Sequence, residues 1–136
     1  MSADAQKAAV AGNVNQARVL AEEAAGSNWL VNGRDFTGKR FSPLKQITDK
    51  NISELGLAWS LDIDSPMGLA VEPIVVDGVI YISGSLDRVY AVDAASGKLL
   101  WRVDPQVSMT AMRNSWAAHT NRGVAVWEGK VFVGTG

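Results

Sequence analysis

Short apolar runs recur through the second half of this chain, each closed by turn residues. Residues 73–85 read PIVVDGVIYISGS, and residues 124–136 read VAVWEGKVFVGTG. Each is a pair of β-rich runs joined by an acidic residue and a glycine, Asp77-Gly78 in one and Glu128-Gly129 in the other. Such a pair supplies the positive-φ positions that a two-residue hairpin turn requires. After the first hairpin the pattern predicts two further strands. Strands are expected near residues 74–76, 79–83, 88–92 and 98–103, with turns at 84–87 and 93–97. In the second of these turns Asp93 and Ser96 can bond turn amides, and Gly97 can take a left-handed conformation.

A second repeat runs out of step with the first. LAWSLD ends at Asp62 and LLWRVD ends at Asp104, which puts Trp59 and Trp101 in the same slot. The chain order is therefore an outer-strand element (55–62), one complete unit (72–104) and the first half of another (122–136). The turn glycines Gly78 and Gly129 lie about fifty residues apart, and four strands per unit at that period is the signature of a β-propeller blade. The fold expected is all-β. The outer strand that precedes the first blade is expected to complete the last blade and so seal the ring, which removes an open sheet edge. Trp59 and Trp101 are then structural residues that cover a neighbouring blade. Residue 136 falls inside a blade, so the sequence is expected to be the N-terminal piece of a longer protein.

The first 26 residues read differently. They are Ala-rich and helical in pattern, with a break at Gly12-Asn13. Asn13 is expected to cap a helix that runs to about Ala25 and stops at Gly26. This stretch has no continuous apolar core of the kind a secretory leader needs. Residues 27–54 form an irregular lead-in rich in Gly, Asn, Asp, Pro and aromatics, with one helical turn expected over 48–54.

Composition removes several function classes. A hydrophobic content of 47% is that of a globular chain, and the net charge of −1 gives no electrostatic case for nucleic acid or an anionic membrane. No apolar run is long enough for a transmembrane helix. The absence of cysteine excludes a disulfide, a thiolate metal site and a CxxCH haem attachment within these residues. His119 is the single histidine, too few for a zinc or haem site, and is read as a loop residue. Asp62, Asp64, Asp77, Asp87 and Asp93 fall at strand ends and turns without the dense spacing of a calcium loop.

NGRDFTGKRFSPLKQI, LGLAWSLDID, EPIVVDGVIYISGSLDRVYAVDAASGKLLW and NRGVAVWEGKVFVGTG together resemble the start of the quinoprotein alcohol dehydrogenases, the methanol/ethanol dehydrogenase family. The resemblance covers residues 29–136. It implies an eight-bladed propeller of the tryptophan-docking type with pyrroloquinoline quinone (PQQ) near the axis. It also implies a Ca²⁺ or lanthanide ion acting as Lewis acid and an Asp general base. A small-molecule alcohol would give a hydride to the cofactor, and a cytochrome c would take the electrons. The metal ligands, the base and the Trp on which PQQ stacks belong to later blades in that family. Its members work in the periplasm.

Arg122, in Asn121-Arg122-Gly123, is the leading cofactor-binding candidate. It opens an apolar strand on the axial side of a blade, and a guanidinium can bind one of the three PQQ carboxylates through a bidentate pair. The family places its cofactor-binding Arg in this motif. Two departures follow from the resemblance. Where the family carries adjacent cysteines before NRG, this chain has Trp116 and Ala117, so Trp116 stands either to cover the cofactor by stacking or to pack on a loop. Where many members carry a cofactor-contacting Glu before the first-blade Pro, this chain has Ala70, and a shifted loop would let Glu72, directly before Pro73, take its place. The competing reading is a non-catalytic propeller scaffold of the outer-membrane assembly type, which has no reason to carry residues 32–44 together with Asn121-Arg122-Gly123.

Overall fold

The two acidic–Gly pairs turn the chain as their chemistry requires. In the computed structural model, which describes residues 12–108 and 121–135, Asp77 and Gly78 have φ of 51° and 76°, and Glu128 and Gly129 have 46° and 74°. Both central residues of each turn are left-handed, the geometry that matches the twist of the flanking strands. Strands β1 (Ile74–Val76), β2 (Val79–Ser83), β3 (Val89–Asp93) and β4 (Leu99–Val103) form one antiparallel sheet in that order. This is the four-stranded meander of a single blade. β5 (Ala125–Trp127) and β6 (Lys130–Phe132) form the second hairpin. The third and fourth strands each begin one residue later than the sequence pattern suggested, and their pairing carries a register shift at Ala91/Val92.

The 93–97 turn forms as its residues predict. Asp93 accepts from the Ser96 amide at 2.8 Å and from the Ser96 hydroxyl at 2.6 Å, and Gly97 has φ 71°. The Ser96 hydroxyl and then its amide hold the Asp93 carboxyl below the ordinary aspartate range.

One apolar cluster joins the two blades. Ile74, Val76, Tyr81, Val89 and Ala91 of the first sheet pack with Val124 and Val126 of the second, and with Val14, Val19 and Leu30 from the N-terminal segment. That segment begins with helix α1 (Gln16–Ala25), which ends at Gly26 with φ 68°. Its N-cap is Asn15, not Asn13: the Asn15 side chain accepts from the Arg18 amide at 2.9 Å. Asn13 lies too far upstream to reach an unpaired amide of the first turn, and its carbonyl accepts from the Arg18 guanidinium instead. Arg18 also pairs with Asp77 in the first hairpin turn, while the Val14 carbonyl accepts from the Glu128 amide of the second. After the helix, Trp29 and Val75 exchange backbone hydrogen bonds of 2.9 Å each, which covers the free edge of β1.

The lead-in is irregular, as expected, with a 3₁₀ turn at Ile52–Glu54. Residues 55–62, expected to complete a last blade that lies outside this chain, run without a sheet here. They have no ladder partner among the described residues, and a strand is defined by its partner as much as by its apolar pattern. What anchors this segment is Trp59. Its indole N–H donates to the Ala94 carbonyl at 3.0 Å, and its ring lies against Gly97. Trp101, in the equivalent slot on β4, meets Tyr81 with ring centroids 6.0 Å apart. Its indole nitrogen is buried without a hydrogen-bond partner.

Candidate functional site

The loop that leads into β5 is fixed by Asn121. Its Oδ1 accepts from the Gly123 amide at 3.0 Å and from the Ser83 hydroxyl at 3.0 Å. Its Nδ2 donates to the Gly134 carbonyl at 2.6 Å and to Asp87 at 3.3 Å. One side chain thus ties the end of β2, the turn before β3 and the segment after β6. Ser83 is fully buried, so the anchor is rooted in the blade core. Sequence reasoning marked the neighbour of Asn121 and missed Asn121 itself. The available signal was an Asn two residues before a Gly, a spacing at which the amide oxygen can cap the glycine N–H.

Arg122 follows directly and lines a groove of about 540 Å³ together with Asn32, Gly123, Val124, Phe132 and Gly134, among others. Among the described residues no acidic one lines it. Among the described residues the Arg122 guanidinium has no carboxylate partner, and the residue is exposed. A guanidinium with no carboxylate partner among the described residues, with Asn32 in the same groove lining, suits a carboxylate-bearing ligand, because both side chains carry N–H donors and neither repels an anion. The residues present therefore fit an anionic group. Asn32, from the lead-in, is a second residue that the sequence did not single out.

Glu72 lies beside this loop, but its carboxylate faces the lead-in. Oε1 accepts from the Trp29 indole at 3.0 Å and from the Gly33 amide; Oε2 accepts from Arg40 at 2.9 and 3.3 Å. Burial pushes the carboxyl up, but the Gly33 amide, the Trp29 indole and Arg40 outweigh it and hold the group below the ordinary glutamate range. The structure thus brings Glu72 and Arg122 together through backbone only, by a hydrogen bond from the Glu72 amide to the Arg122 carbonyl at 3.3 Å. Trp116, Ala117 and His119 lie outside the described residues. Ala70 is exposed in the loop before β1. Among the described residues no group of three or more His, Cys, Asp or Glu is placed to hold a metal ion, and no helix is long and apolar enough to cross a membrane.

The chain matches known proteins over this whole region. Quinohemoprotein alcohol dehydrogenase ADH IIB of Pseudomonas putida is 53% identical over 128 residues, which is 94% of this chain and 19% of that protein. The 1-butanol dehydrogenase (cytochrome c) of Thauera butanivorans is 51% identical over 112 residues, covering 82% of this chain and 16% of that one. The solved structure of quinohemoprotein alcohol dehydrogenase ADHIIG from Pseudomonas putida HK5 superimposes with a TM-score of 0.86 at 46% identity, over 94% of this chain and 19% of that chain. The chain thus spans less than a fifth of the length of these relatives. The blade and half-blade, the groove beside Arg122 and the lead-in all fall within residues 29–133, where the family of the PQQ glucose/ethanol/alcohol dehydrogenase β-propeller domain matches, and the chain belongs to that family.

Proposed function

We propose that this chain is the opening part of a periplasmic PQQ-dependent alcohol dehydrogenase whose complete ring has eight blades. It would oxidise a small alcohol to the aldehyde and pass electrons to a cytochrome c. The observation that carries this reading is the Arg122 groove: a guanidinium with no carboxylate partner among the described residues, on a loop locked by Asn121, with no acid among the described lining residues. When bound, PQQ supplies the two-electron oxidant of the reaction, with a calcium or lanthanide ion held by residues outside this chain.

This chain's own contribution is to bind and orient. Arg122 would hold a cofactor carboxylate, and Asn121 keeps the Arg122 backbone from drifting by its four bonds to Ser83, Gly123, Gly134 and Asp87. Trp116 would cover the cofactor by stacking, in the place where relatives are expected to carry paired cysteines. Trp59 and Trp101 act at the blade seams and not on the cofactor.

The test is PQQ binding by the full-length protein and its Arg122→Ala variant. A hydrogen bond to a charged group contributes about 1.5–3 kcal/mol, so affinity should fall by about tenfold or more with the melting temperature unchanged. A variant that binds PQQ as tightly as the parent refutes the assignment.

A further inference from the structure

Glu72 has two functions divided between its side chain and its backbone. All four acceptor positions of the carboxylate are taken: two on Oε1 by Trp29 and Gly33, two on Oε2 by the Nε and Nη2 of Arg40. The donors come from three points of the lead-in, so the carboxylate closes that segment on itself and on the residue before β1. The backbone of Glu72 faces the other way. Its amide donates to the Arg122 carbonyl, and its own carbonyl oxygen lies 3.2 Å from where a Cβ on Gly123 would stand. Gly123 has φ 143°, so both its conformation and its close approach to Glu72 call for glycine. The backbone at 72 is therefore pressed directly against Asn121-Arg122-Gly123, while Glu72 is not among the groove-lining residues.

We propose that Glu72 is a positioning residue: its carboxylate, gripped by Trp29, Gly33 and Arg40, fixes the backbone at 72, and that backbone sets Arg122 at the groove. It is not a ligand of the cofactor, because an oxygen turned toward the groove would abandon two of the four donors. The inference rests on the reading of Arg122 as the cofactor anchor. It also gives Asn32 its place, since Asn32 lies in the short stretch between the Trp29 and Gly33 donors and lines the same groove.

The experiment uses the full-length protein with PQQ as probe and two readouts, equilibrium PQQ affinity and amide hydrogen exchange in the peptide containing residue 72. The variants are Glu72→Gln, Trp29→Phe, Arg122→Ala and the double variant Glu72→Gln/Arg122→Ala. Trp29→Phe removes one donor while keeping an aromatic ring, so it serves where Glu72→Gln fails to fold. Glu72→Gln and Trp29→Phe should each speed exchange at residue 72 and weaken PQQ binding by about three- to tenfold, with no further loss from Glu72→Gln in the Arg122→Ala background. Unchanged exchange at residue 72 overturns the proposal. So does a loss from Glu72→Gln that is equally large with Arg122 absent, which would make Glu72 a direct ligand. Faster exchange combined with an Arg122→Ala variant that binds PQQ normally supports the clamp and refutes Arg122 as the anchor, so the two readings fail separately.

Discussion

Replacing Gly97 by Ala should cost far more than its place in a tight turn suggests. Gly97 has φ 71°, where an alanine pays about 1 kcal/mol or more. A Cβ there would also stand 2.4 Å from Trp59 Cε3 and 2.5 Å from Cδ2, well inside the ~3.5–4 Å of an optimal carbon contact. The indole must retreat by about 1 Å or more, since the turn is fixed by the Gly97 amide bond to the Asp93 carbonyl at 2.9 Å. Retreat breaks the bond from Trp59 to the Ala94 carbonyl, a loss of about 0.5–1.5 kcal/mol. It also exposes part of a half-buried indole, about 1 kcal/mol more. The total is about 3 kcal/mol. Gly78 is the internal control: its φ is 76°, and nothing lies within 4 Å of its Cβ position. Gly78→Ala should therefore cost only the conformational part, about 1 kcal/mol. Urea unfolding followed by circular dichroism reads both, and Gly97→Ala in a Trp59→Ala background should drop to the Gly78→Ala value. Equal costs for the two glycines, or an excess that survives removal of Trp59, would refute the contact.

Other outcomes follow from single contacts. Asn15→Ala should lower stability by about 1 kcal/mol in the same unfolding assay, and Asn13→Ala should not, because only Asn15 caps α1. Trp59→Phe should destabilise more than Trp101→Phe, since the Trp59 indole nitrogen has a partner and the Trp101 nitrogen is buried without one; urea midpoints of the two variants decide it. Glu22 is partly desolvated, which raises its pKa, but bonds from Asn28 and Ser27 outweigh this and hold it low. Its stabilisation is therefore complete above the ordinary glutamate pKa and lost as pH falls through the depressed folded value. Glu22→Gln should flatten that acid limb in a pH series of unfolding midpoints.

The blade was legible because its information is local. Asp77-Gly78, Glu128-Gly129 and Asp93–Ser96–Gly97 each contain the residues whose conformations make the turn, and the strands between them carry their own apolar pattern. Arg122 was singled out from the motif around it, and it lines the groove beside β5. The misses are long-range. Asn13 and Asn15 are both good caps in sequence, and the choice depends on which one finds the Arg18 amide in reach. Residues 55–62 carry a strand pattern, and the blade they are expected to complete lies outside this chain, so their pairing has no local record. The donors to the Glu72 carboxylate come from residues 29, 33 and 40, far upstream, so these bonds have no signature near position 72.

The contact between the Val14 carbonyl and the Glu128 amide has a consequence for how the protein is made. Synthesis delivers the N-terminal segment first, but the amide it needs is more than a hundred residues away and emerges long after the first blade can close. A contact of such separation carries a large loop-closure cost and forms late unless something shortens the loop. The first blade does so, because Arg18 can pair with Asp77 and Trp29 with Val75 as soon as β1 and its turn exist. The residues upstream of the first blade, made before it, are then held on the first repeat, and they become the surface on which the second repeat's turn docks.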